Sequence, residues 1–320
     1  MNLIKTSIAL AVLAAPIALT PRFAMAKTAQ NTLKLEDVFT LEYASGLDIT
    51  HDGNTVYFVR NFMDIQNDKK RGNIWKVDKN KVMTPVTNGL HADYSPTLSP
   101  DESKLAYIST ASGSAQIHIK WLDSGQTGQM TRLTGAPSNL SWSPDGKMLA
   151  FSQFVKGTPK SPVSLSGKPE GAKWADSAIF IDDLFYRADG AGYLPAGNSQ
   201  IFVLSAEGGT PRQLTQGEFD HGGNISWSSD SKSIVFSANR HKDSDLELTD
   251  DNLYKIDVAT GNMLALTDRL GPDNSPSISP DGKLIAYLGY DEKYSNYENT
   301  QLYVMDVNGG VSRSLTPQFD

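Results

Sequence analysis

The sequence predicts an all-β fold, a β-propeller of four-stranded antiparallel blades, and three observations carry that reading. A strand–turn–strand phrase recurs five times. A second hairpin phrase recurs behind each copy. The copies are separated by 49, 44, 85 and 51 residues, counted between the turn aspartates Asp52, Asp101, Asp145, Asp230 and Asp281. Four-stranded units repeating every 40–50 residues or so are the signature of a propeller.

The first phrase is clearest at Ser141–Phe151, SWSPDGKMLAF. Ser143-Pro144-Asp145-Gly146 suits a type I turn. Proline fits the second position through its fixed φ, and glycine takes the site that tolerates positive φ. Such a turn joins two antiparallel strands through a bulge. The other copies are DGNTVYF from Asp52, DESKLAY from Asp101, DSKSIVF from Asp230 and DGKLIAY from Asp281. Counting from the aspartate, the fifth column is Val56, Leu105, Leu149, Ile234 and Ile285. The seventh is Phe58, Tyr107, Phe151, Phe236 and Tyr287. The sixth is Tyr57, Ala106, Ala150, Val235 and Ala286. A strand apolar on both faces is covered on both faces. Sheets stacked face to face around an axis provide that cover.

The second hairpin opens with NIWKVD, QIHIKW, QIFVLS, NLYKID and QLYVMD. It closes at Val86-Thr87, Leu133-Thr134, Leu214-Thr215, Leu266-Thr267 and Leu315-Thr316. The units therefore run over about 47–87, 94–134, 139–215, 224–267 and 275–316. The long interval reflects one insertion, about Lys156 to Ser199, in unit three. Its first part is rich in Gly, Pro and Ser; its second part, WADSAIFIDDLFYRADGAGYLPAGN, is aromatic and expected to be ordered. Five copies suffice to close a ring. The last unit shows no closing strand, so the reading is a truncated propeller or part of a larger protein.

Residues 1–26 are read as a cleaved signal peptide. Lys5 supplies the positive start, Ser7–Leu19 the apolar run, and Ala24-Met25-Ala26 the cleavage site. The expected location is periplasmic or secreted. The net charge of −7 makes nucleic acid and anionic membrane poor partners. No cysteine is present, which excludes thiol catalysis and thiolate metal sites.

No cofactor, metal or catalytic residue is assigned. The G-x-S-x-G signature of a hydrolase nucleophile is absent. His221-Gly222-Gly223 superficially suggests an oxyanion-hole loop but reads as a connector entering unit four. His51, His91, His118, His221 and His241 lack metal-ligand spacing and read as surface and loop histidines. The acidic run Asp243–Asp251 lacks the glycine and terminal glutamate of a calcium-binding hand and reads as a solvated loop.

The loops between second and third strands are Phe62–Gly72, Lys156–Ser199, Arg240–Asp251 and Asp291–Thr300. Their elaboration, against tight turns at the other end, marks a working face. The contact candidates lie in the unit-three insertion: Arg187, Asp182, Asp183, Asp189, Tyr186 and Tyr193. Arg187 suits a bidentate carboxylate contact, across a domain boundary or to a peptide. Asp182 and Asp183 suit an ammonium group. The competing reading is that Arg187 pairs with its own neighbours and only folds the loop.

The repeats resemble the TolB-type propeller repeat. Non-repeated segments resemble the N-terminal propeller of prolyl oligopeptidase family serine peptidases, in the acylaminoacyl-peptidase and dipeptidyl-aminopeptidase branch. These segments are RNFMDIQNDKKRGNIWKVD, YRADGAGYLPAGNSQIFVLSAEGGTPRQLTQGEFDHGG, SIVFSANR and GPDNSPSISPDGKLIAYLGYD. The resemblance implies a gate and substrate-facing lid, a peptide substrate, and an α/β-hydrolase domain expected beyond residue 320. The alternative is a stand-alone periplasmic propeller that binds a protein partner, as TolB does.

Overall fold

A computed structural model describes residues 32–158, 167–175, 178–295 and 297–318. The expected signal segment and much of the Gly/Pro/Ser-rich part of the insertion lie outside them. The chain divides into two units, 1–38 and 39–320. Asp37 caps the start of a 3-10 turn, Leu35–Thr40, by accepting from the Lys34 amide (2.8 Å).

The second unit holds five successive four-stranded antiparallel blades. Blade one is β1 (Glu42–Ile49), β2 (Thr55–Asp64), β3 (Lys69–Asp78) and β4 (Met83–Pro85). Blade two is β5 (Asp93–Leu98), β6 (Lys104–Ser109), β7 (Gln116–Trp121) and β8 (Thr127–Gln129). In blade three, β9 (Pro137–Trp142) and β10 (Met148–Lys156) precede the insertion. The insertion contributes a separate two-stranded sheet, β11 (Arg187–Ala188) and β12 (Gly192–Tyr193). Blade three then resumes with β13 (Gly197–Ser205) and β14 (Arg212–Gln213). Blade four is β15 (Ser226–Trp227), β16 (Ser233–Ala238), β17 (Asn252–Asp257) and β18 (Met263–Ala265). Blade five is β19 (Asp273–Ile278), β20 (Leu284–Gly289), β21 (Gln301–Asp306) and β22 (Arg313–Ser314).

Each tight turn is a closed circuit of hydrogen bonds. The Ser143 hydroxyl donates to Asp145 Oδ1 (2.7 Å), the Lys147 amide donates to the same oxygen (3.1 Å), and the Met148 amide donates to Ser143 Oγ (3.0 Å). Gly146 sits at φ 68°, where a β-branched side chain is strained. The same circuit is built on Thr50/Asp52, Ser99/Asp101, Ser228/Asp230 and Ser279/Asp281. These bonds favour the ionised carboxylate. The serine hydroxyl lowers the pKa of Asp101 to about 2, and Thr50 does the same for Asp52.

The apolar columns assemble the core by one rule. The sixth-column side chain of each blade packs on the fifth and seventh columns of the next. Tyr57 meets Leu105 and Tyr107; Ala106 meets Leu149 and Phe151; Ala150 meets Ile234 and Phe236; Val235 meets Ile285 and Tyr287. Beside Ala286 in blade five, Leu284 and Leu288 are 46% and 38% exposed.

Two further devices repeat inside the blades. Every seventh-column residue faces an aromatic on the third strand: Phe58 with Trp75, Tyr107 with His118, Phe151 with Phe202, Phe236 with Tyr254 and Tyr287 with Tyr303. In four of these pairs the ring centroids lie 5.4–6.0 Å apart, within the favourable range for aromatic contacts. A threonine hydroxyl beyond the fourth strand accepts from a third-strand amide, as Thr215 does from Ile201 (2.9 Å) while donating to Gln200 Oε1 (2.7 Å).

Three readings are corrected. The fourth strand of blade two ends at Gln129 rather than at Leu133-Thr134, and the Thr131 hydroxyl beyond it accepts from the Ile117 amide. The charged stretch Phe62–Gly72 is mostly paired strand, with Phe62 opposite Arg71 and Asp64 opposite Lys69, because ladder bonds prevail over its polar composition. His118 and His221 are buried, since one occupies the aromatic column and the other the blade-three-to-four connector.

Candidate functional site

The loops between second and third strands share one end of the blades with the connectors between blades. The contacts among them define a loop face. Tyr294 of the blade-five loop donates to Glu247 of the blade-four loop (3.0 Å). The Asp273 amide donates to the Asp251 carbonyl (2.7 Å), and the Glu292 amide to the Leu270 carbonyl (3.0 Å).

The insertion leaves blade three where β10 and β13 are still paired, Lys156 opposite Gly197. Gly197 lies at φ 138°, and any Cβ there would overlap the carbonyl oxygen of Val155. Only glycine allows the two strands to part so abruptly. Farther out, Arg187 pairs with Tyr193 and Ala188 with Gly192. Tyr186 and Tyr193 stack with centroids 6.2 Å apart, and the Leu194 amide donates to the Tyr186 carbonyl (2.9 Å).

The structure thus brings Tyr186, Arg187 and Tyr193 together on one small hairpin, with Asp189 at its exposed tip. Asp182 and Asp183 lie exposed on the approach to it, each already engaged in an interaction. Arg187 is exposed and makes no ion pair among the described residues. Trp174, Phe180, Phe185 and Leu184 are also exposed, which leaves a broad apolar surface on the insertion.

Blades four and five supply residues that the sequence reading missed. Arg269, in the connector to blade five, lies over the Tyr303 ring (4.1 Å to the centroid). Its guanidinium binds Asp273 (2.5 Å) and Asp291 (3.0 Å). Burial pushes the Asp273 carboxyl up, against the lowering effect of Arg269. Beside this pair lies a shallow cavity of about 350 Å³, lined by Tyr290, Asp291, Lys293, Tyr297, Glu298, Asn299, Gln301 and Tyr303. In blade four, Arg240 lies between the Tyr254 and Phe219 rings, 5.2 and 5.5 Å from their centroids. Asp250 is buried and lies 3.3 Å from His241 Nε2, so the acidic loop is partly folded inward rather than wholly solvated. The signal that could have found Arg240 and Arg269 is position: each is an arginine just outside a strand whose blade carries a third-strand tyrosine.

His221 is buried in the connector entering blade four. Its Nδ1 lies 3.0 Å from Gln200 Oε1, which also accepts from Thr215. Nδ1 therefore carries the proton and Nε2 is a bare acceptor. Burial and then Arg240 lower its pKa to about 4. Among the described residues, no group of three or more His, Cys, Asp or Glu is placed to hold a metal ion.

Comparisons with known proteins place this geometry. Residues 188–295 match the family "Dipeptidyl peptidase IV (DPP IV) N-terminal region". Dipeptidyl-peptidase 5 of Porphyromonas gingivalis is 23% identical over 301 residues, 88% of this chain and 42% of that protein. The uncharacterized peptidase YuxL of Bacillus subtilis is 27% identical over 206 residues, 64% of this chain and 31% of that one. The chain thus spans less than half the length of either relative. Pyrococcus horikoshii acylaminoacyl peptidase superposes with a TM-score of 0.67 at 18% identity, over 88% of this chain and 41% of that structure. By its fold the chain is a β-propeller, and over residues 188–295 it is similar to the N-terminal region of dipeptidyl peptidase IV.

Proposed function

We propose that the chain is the gating and substrate-access part of an exported serine peptidase that cleaves short peptides, its α/β-hydrolase domain lying beyond residue 320. One observation carries this reading. The segment that matches the dipeptidyl peptidase family, 188–295, also builds most of the loop face, from the β11–β12 hairpin through Arg240 to Asp291. In this reading the hydrolase domain supplies the nucleophile, and the propeller excludes bulky substrates while presenting contact groups. The insertion suits a surface that opens and closes, because its aromatic bodies bury area while interleaved charges keep it soluble when open. The Arg187 guanidinium, which makes no ion pair among the described residues, offers a forked donor to a carboxylate or a backbone carbonyl.

The test is the full-length enzyme with dipeptidyl and N-acylated peptide substrates. Arg187→Ala should lower kcat/KM by tenfold or more, a loss of about 1.4 kcal/mol of transition-state binding, while the melting temperature barely moves. Lost stability with unchanged kinetics would make Arg187 a loop staple. A gene with no hydrolase-encoding sequence downstream of codon 320, together with a protein that captures a specific partner, would favour the stand-alone binding propeller instead.

A further inference from the structure

Three guanidinium groups lie over the third-strand aromatic of their own blade. Arg60 covers Trp75 (5.0 Å), Arg240 covers Tyr254 (5.2 Å) and Arg269 covers Tyr303 (4.1 Å). Two of the three are neutralised within the chain. Arg60 takes both oxygens of Glu42, at 3.0 and 2.6 Å, and Arg269 takes Asp273 and Asp291. Arg240 makes no ion pair among the described residues. Its Nη1 rests on the Met263 sulfur (2.6 Å), and its Nε is buried with no partner.

The repeat explains the missing carboxylate. Asp273 stands eight residues before its turn aspartate, Asp281, and the corresponding residue before Asp230 is Gly222. A Cβ at Gly222 would meet the Ser199 side chain at 3.1 Å, so this position is too tight for an aspartate as it stands. Neighbouring carboxylates are committed elsewhere. Asp250 accepts from the Gly271 amide and lies 3.3 Å from His241 Nε2. Asp251 is held toward its neutral form by burial, then by Asp250 and Asp273. The His221 imidazole, whose pKa Arg240 helps to lower, is wholly buried, with Nε2 unpartnered. A half-buried guanidinium with no counter-charge is unfavourable. It lies over two rings, and a planar fork of donors matches a carboxylate.

Resting on the peptide-binding reading above, we propose that Arg240 is a substrate-contacting residue that receives a carboxylate of the peptide on the loop face, supplying from the ligand the charge that Asp273 supplies to Arg269. The geometry leaves two sources for that carboxylate, the peptide C-terminus and an acidic side chain.

The test is equilibrium binding, by calorimetry, of three probes to the full-length protein: a short N-acetylated peptide with a free C-terminal carboxylate, its C-terminal amide, and the amide carrying one glutamate. At least one carboxylate probe should bind ten times more tightly than the neutral amide, and which one does so identifies the source. Arg240→Met, which keeps the apolar stem between the rings, should abolish the preference. Arg240→Lys should retain part of it, which shows that the site still folds. Equal affinity for all three probes, no binding of any, or a preference that survives Arg240→Met overturns the proposal. The parent reading is separable. Carboxylate preference without peptide turnover leaves the Arg240 site standing and removes the peptidase; turnover without preference removes only the Arg240 site.

Discussion

Acidification from pH 7 to 4.5 should destabilise the protein by about 3 kcal/mol through His221 alone. The side chain is fully buried, and its pKa is held near 4 instead of the ordinary 6.5. The folded-state value is depressed, so the unfolded chain takes up the proton first. The stabilising contribution is complete above pH 6.5, declines as the pH falls, and is exhausted near pH 4. At about 1.36 kcal/mol per pH unit, two units below 6.5 give the figure quoted. With a urea dependence of about 3 kcal/mol per molar, the unfolding midpoint should drop by roughly 1 M. The control is His221→Gln, which does not titrate. It should be less stable at pH 7 yet show a flatter profile, and the difference between the two curves isolates His221. His118, whose pKa burial also lowers, contributes equally to both. Parallel profiles for wild type and His221→Gln between pH 7 and 4.5 would refute the reasoning.

Phe151→Ala should cost about 3–5 kcal/mol, because the ring is fully buried and stacked 5.5 Å from Phe202; an unchanged denaturation midpoint would remove Phe151 from the blade-two-to-three core. Thr215→Val should cost about 1–3 kcal/mol by leaving the Ile201 amide without its acceptor and Gln200 Oε1 with His221 alone, read by the same unfolding curves. The turn carboxylates of Asp52 and Asp101, with values near 2, stabilise above pH 4 and lose that contribution as the pH falls toward 2. Asp101→Ala should therefore weaken the acid dependence in that window, measured by circular dichroism.

Much of the fold was legible because its determinants are local. The Ser-x-Asp circuit closes within five residues, and the alternating columns report which face each strand buries. The third-strand aromatics were in view as well, in NIWKVD, QIHIKW, QIFVLS, NLYKID and QLYVMD. The chemical mixture of Trp, His, Phe and Tyr hid their common position, and with it the burial of His118. Thr131 was missed for a different reason. A Leu-Thr pair three residues later imitates the motif, and only the strand register decides which hydroxyl reaches the Ile117 amide. The functional face was legible as a set of loops but not as a set of contacts. Arg187 proves to stand on a small hairpin, β11–β12, that the sequence reading did not foresee. Arg240 and Arg269 acquire meaning only once the connectors fold back over rings that are distant in sequence.

The outermost strands have a consequence of their own. β4, β8 and β18 are three residues long, and β14 and β22 only two. A sheet edge with unpaired amides and carbonyls is a template on which another chain can add a strand, and the hazard grows with its length. Each blade ends in an edge too short to offer more than a few such groups, and the threonine hydroxyl beyond it caps a third-strand amide that the short strand leaves free. A protein presenting five sheet edges to solvent thereby limits the opportunity for edge-to-edge aggregation without disulfides.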